Sequence, residues 1–172
     1  MSTRGTKKGR QTLAQKRKKM RDDLWADEIN LLNLWNRTEH DGYTTIPRTM
    51  PQIFRIMDLW AGKGKPVSAT YFTLWCNVHD ESYLEIKDKD RFAFESGFSG
   101  ERAVTTWTTR MRILAELGFI SAKEGASGEF NHVLILNPLE VIKKMYQSKT
   151  KDKYYVALRT RMNDVGARFV EE

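Results

Sequence analysis

Residues 88–137 read DKDRFAFESGFSGERAVTTWTTRMRILAELGFISAKEGASGEFNHVLILN. Phe92 and Ala93, with Phe94 beside them, give Asp88–Ser96 the pattern of a short helix. Gly97-Phe98-Ser99-Gly100 is a tight turn, and the Ser99 hydroxyl is suited to cap a following helix. That helix runs from Glu101 to Leu117, because Val104, Trp107, Met111, Leu114 and Leu117 recur every three or four residues. Gly118 stops it in a left-handed conformation. Two apolar runs follow, Phe119–Lys123 and Phe130–Leu136. The glycine-bearing segment Glu124–Glu129 joins them as a hairpin.

Upstream, Ser68–Val78 reads as a helix with Tyr71, Leu74, Trp75 and Val78 apolar, and Ser82–Ile86 as a short strand. Residues 51–60 form a helix with Ile53, Ile56, Met57 and Trp60 inward, opened by Thr49 and Pro51. Tyr43–Ile46 is β-like and is stopped by Pro47. Leu24, Trp25, Ile29, Leu32 and Trp35 put a stripe on a helix over residues 16–37. Residues 1–15, with Gly5 and Gly9, read as disordered. Downstream, Pro138 opens a helix to about 147, and a lysine-rich linker leads to a last helix near 154–169. The class is mainly α with a small β wing. The parts are a flexible basic arm (1–21), N-terminal helices and linker (22–66), a central domain (67–148), and a basic linker with a C-terminal helix (149–172).

The order of short helix, glycine turn, long helix, Leu117-Gly118-Phe119-Ile120 and glycine-tipped hairpin resembles a winged helix-turn-helix. The resemblance covers about 87–137, with 68–78 as the first helix. It implies a DNA-binding domain whose long helix enters the major groove. Trp107 and the threonines around it are unusual for that family, so no target carries over. Gly42–Pro47 resembles, faintly, the opening strand of winged-helix domains in plasmid and phage replication or control proteins. The polar side of the long helix offers Arg102, Thr105, Thr106, Thr109 and Arg110. Arginine can pair with guanine edges or phosphate, and threonine can donate to phosphate or meet a thymine methyl. The hairpin adds Lys123, with Asn131 and His132 beside its tip, while Glu101, Glu124 and Glu129 would repel phosphate if they face it.

Charge is uneven. Of 29 basic residues, nine lie in 1–21 with no acid: Arg4, Lys7, Lys8, Arg10, Lys16, Arg17, Lys18, Lys19 and Arg21. The remaining 20 face 22 acids, so residues 22–172 carry a net −2. A positive arm on a near-neutral body points to a polyanion. Lys143, Lys144, Lys149, Lys151, Lys153, Arg159 and Arg161 form a second cluster broken only by Asp152.

The expected partner is duplex DNA, in transcriptional control or in replication or partition of a DNA element. The alternative is a winged-helix adaptor of a protein or ribonucleoprotein complex, with the arm holding RNA or an acidic partner. A homodimer through helix 24–35 fits either. No cofactor or metal is expected, nor an enzyme. The single cysteine, Cys76, sits in an apolar helix where packing is expected, and it allows no internal disulfide. His79-Asp80-Glu81 and His40-Asp41 place adjacent residues on different sides, so neither suits a metal ion. Gly62-Lys63-Gly64-Lys65-Pro66 lacks the spacing of a Walker loop and reads as a loop with at most a minor phosphate contact. No apolar run reaches the roughly 18 residues of a membrane span, and the charged N-terminus is not a secretory signal. A cytoplasmic, nucleoid-associated protein is expected.

Overall fold

The computed structural model describes the backbone of residues 4–170 and the side chains of residues 12–170. The chain divides into two compact units, residues 1–43 and 44–172.

The first unit holds α1 (Arg4–Leu24) and a single 3-10 turn, Ile29–Leu31. The arm expected to be disordered over 1–15 is instead helical from Arg4, its first three residues lying outside the described ones. From Gln11 to Arg21 nearly every residue is a strong helix former, and this propensity outweighs the like charge. Lys19 also pairs with Asp23 one turn on, at 2.5 Å. The helix expected over 16–37 stops at Leu24, so the stripe 24–35 is not a helix face and offers no helical dimer seam. Asn30, Asn33 and Asn36 interrupt it. At the far end of the stripe the Asn36 side-chain oxygen accepts from the Thr38 backbone N–H and hydroxyl, a local turn in place of helical pairing.

The second unit carries α2 (Met50–Ala61), α3 (Ser68–Asn77), β1 (Tyr83–Glu85), α4 (Lys89–Glu95), α5 (Ala103–Glu116), β2 (Ile120–Gly125), β3 (Gly128–Ile135), α6 (Pro138–Met145) and α7 (Lys153–Val165). The chain is therefore mainly helical with one small antiparallel sheet of order β1-β3-β2. Residues 43–46 form no strand. The divisions expected at 66/67 and 148/149 both fall inside this unit. α2 packs on α3, α6 and α7, so the flanking helices share its core.

The core follows the α5 stripe. Trp107, Met111 and Leu114 are fully buried. The Trp107 ring lies between Phe92 of α4 and Phe130 of β3, at 6.3 and 6.1 Å between centroids. Tyr71 of α3 meets Phe119 at 5.7 Å, and burial pushes its phenol well above the usual range. Phe94 points out to solvent, at 76% exposure, and only Phe92 and Ala93 anchor α4. Cys76 is exposed on α3 rather than packed, and partial burial together with Glu95 pushes its thiol up.

Candidate nucleic-acid interface

α5 begins later than Ser99 would place it. Gly97 and Gly100 both take positive φ, at 88° and 80°, and carry the turn on through Glu101. Arg102 becomes the N-cap residue and makes no side-chain capping bond. The Ala103 N–H at the helix opening donates instead to the Gly100 carbonyl at 3.1 Å, so the glycine turn takes up the first donor.

Arg102, Thr105, Thr109 and Arg112 follow one another at spacings of three, four and three, and so share one stripe opposite Trp107. Arg102, Thr105 and Arg112 are exposed and Thr109 is half-buried. Thr109 Oγ1 donates to the Thr105 carbonyl at 3.0 Å, which leaves its methyl as the group free to meet another surface. Thr106 and Arg110 lie on a different side, both half-buried. Arg110 Nη2 donates to the Gly64 carbonyl at 3.3 Å, and its guanidinium stands over Phe98 at 5.8 Å. Arg110 is thus tied to the loop between α2 and α3, and Arg102 is the less committed of the two expected arginines.

Arg112 was not among the residues singled out from sequence, although its place ten residues after Arg102 puts it on the same stripe. Its guanidinium grips the Glu129 carboxylate of β3, with Nη2 at 2.7 Å and Nε at 3.2 Å from both oxygens. This bond lowers the carboxyl of Glu129 below its ordinary range. The acid expected to repel phosphate is instead neutralised by the neighbouring helix.

The hairpin turns through Ala126 and Ser127 alone, shorter than the six-residue tip expected. Ser127 Oγ and Asn131 Nδ2 both donate to the Ile86 carbonyl, the latter at 3.1 Å. Asn131 is buried and faces inward, away from any ligand at the tip. Gly125 permits this, since a Cβ there would lie 2.0 Å from Asn131 Oδ1. His132 is held by the Tyr83 hydroxyl at 2.8 Å, with the rings stacked. Lys123 is exposed on β2, directly opposite His132.

Lys16, Arg17, Lys18 and Lys19 are exposed on α1, in the first unit. Lys19 holds Asp23 and Arg21 holds Asp22, each at 2.5 Å. Among the described residues no group of three or more His, Cys, Asp and Glu could hold a metal ion, and no helix is long and apolar enough to cross a membrane. Comparison of the chain with protein-family models, with curated proteins and with solved structures gives no match.

Proposed function

We propose that residues 67–137 form a winged helix-turn-helix that binds duplex DNA. The succession α3-β1-α4-α5-β2-β3, with α5 packed on both α3 and α4 and followed by a hairpin, supports this reading. The observation that carries it is the outer stripe of α5. Arg102, Thr105 and Thr109 take no part in the core, and Arg102 and Thr105 keep side chains long or small enough to meet base edges or phosphates. Lys123 on the hairpin and the cations of α1 add sequence-independent attraction. The setting is transcriptional control, or replication or partition of a DNA element, and the protein acts by binding rather than catalysis.

Selection from a random duplex library tests this. Enrichment of a defined site by the full chain supports the reading, and absence of duplex binding even at low salt overturns it. A second reading, an adaptor that assembles a protein or ribonucleoprotein complex, is favoured by one observation. Leu31 and Trp35 are 85% and 65% exposed, and Leu32 and Leu34 stand out beside them. Exposed apolar side chains gathered in one short segment suit a protein contact.

A further inference from the structure

The loop between α2 and α3 lacks the spacing of a phosphate loop, yet its position gives it another use. Gly64 in that loop accepts the hydrogen bond from Arg110 of α5. Four residues earlier, Trp60 carries the Lys149 ammonium over its ring, 3.9 Å from the centroid. Trp60 packs on Tyr146 at 5.0 Å, Tyr146 on Tyr155 at 4.7 Å, and Lys151 stands over Tyr155 at 5.5 Å. Four residues of chain span at most about 15 Å. The loop therefore joins the Arg110 edge of α5 to the linker between α6 and α7.

Four lysines line this path: Lys63 and Lys65 on the loop, Lys149 and Lys151 on the linker. All four are exposed, and none is in an ion pair among the described residues. Two acids lie close in the chain, and both are occupied by donors. Asp58 accepts from the Val67 and Ser68 N–H groups and from the Ser68 hydroxyl, at 2.7, 2.9 and 2.6 Å. Asp152 accepts from the Tyr154 and Tyr155 N–H groups and from the Tyr146 hydroxyl, all at 3.0 Å. The acids hold helix starts in place and leave the lysines to solvent. Aromatic rings under Lys149 and Lys151 restrain those two side chains, which reduces the entropy they give up on meeting a ligand.

We infer that Lys63, Lys65, Lys149 and Lys151 form a strip that contacts backbone phosphates of duplex DNA and lengthens the site begun by α5. This rests on the duplex-binding reading above. It assigns the strip to affinity and length of site, and leaves base recognition to α5.

The test uses the full chain, as wild type, Lys63→Gln/Lys65→Gln, and the quadruple variant that adds Lys149→Gln and Lys151→Gln. Binding to random-sequence duplexes of one turn and of three turns is measured across a salt series. Each phosphate that a lysine no longer neutralises lowers the slope of log K against log salt by about 0.9, so the slope should fall by about 2 in the double variant and about 4 in the quadruple. The weakening should be larger on the longer duplex. Lys149 covers Trp60, so the quadruple variant is read together with its thermal melting. The double variant, whose lysines touch no ring, stands alone if the quadruple unfolds. A wild-type slope in the folded double variant, or equal weakening on both lengths, overturns the strip while leaving the α5 reading intact. Failure of the wild type itself to bind either duplex overturns both.

Discussion

Trp107 on α5 and Arg102 at its N-cap sit five residues apart and face opposite ways. Trp107 is fully buried between Phe92 and Phe130, whereas Arg102 faces solvent without a capping bond. Truncating a buried tryptophan removes its transfer free energy and leaves a cavity. Trp107→Ala should therefore cost about 3–5 kcal/mol in chemical denaturation. A variant that stays as stable as wild type while losing DNA binding would show that the two faces of the helix are exchanged. The stripe from Trp107 to Leu114 is legible in the sequence because apolar spacing reports burial directly. Arg110 is harder to read. Its spacing places it on the polar side, but its bond to Gly64, 46 residues away in sequence, follows from tertiary packing that no local pattern carries. Asn131 is hidden for the same reason: alternation along the strand does not reveal that Ile86 offers its carbonyl from a neighbouring element.

At the scale of elements, α5 and β3 are clipped together by Arg112 and Glu129, both exposed. An exposed pair contributes little to stability, so its main consequence is for the charge that the surface presents. Glu129→Gln removes one negative charge and the strong acceptor, and frees Arg112. Affinity for duplex DNA should rise, with a salt slope steeper by up to about one phosphate's worth, while the melting temperature stays close to wild type. Weaker binding in this variant would show that the clip orients the hairpin for its ligand. The carboxyl of Glu129 is depressed by Arg112, so any stability the pair gives is present above the ordinary carboxylate range and is lost as pH falls through the lowered value. At neutral pH the clip is closed. The helices and hairpin of residues 68–136 are legible in kind and order because glycines and apolar periods separate them, although the start of α5 and the length of the hairpin tip differ from the expected ones. Residues 16–37 are not, since the apolar spacing there continues past Leu24 although the helix ends, and Asn36 holds a local turn beyond it.

Over the whole molecule, positive charge is gathered on α1 and on the lysines near α6 and α7, while α5 carries a sparser, mixed surface. On the proposed duplex-binding reading, attraction without sequence preference would belong to one set of residues and discrimination to another. Deleting residues 1–21 should weaken binding to every duplex by a similar factor and lower the salt slope by several units, at about 0.9 for each phosphate no longer neutralised. The drop should be smaller than nine basic residues would give, because Lys19 and Arg21 already hold Asp23 and Asp22. An unchanged slope would remove α1 from the interface. The charge bias of this segment is plain in the sequence. Its helical backbone is not, because repulsion between neighbouring cations opposes the helix propensity of lysine, arginine, glutamine and alanine, and composition alone does not say which prevails.

If the outer stripe of α5 reads base edges, as proposed, Arg102 is the side chain whose loss should be felt at a preferred site. Wild type and Arg102→Ala are compared on a selected duplex and on its scrambled counterpart, side by side at fixed salt, with melting of each protein measured alongside. An exposed arginine supports little packing, so the variant should melt as wild type does. Its binding should weaken by about 1–3 kcal/mol on the selected site, as for a guanine contact, and much less on the scrambled one. Equal weakening on both duplexes, or none on either, would contradict the assignment of base reading to Arg102.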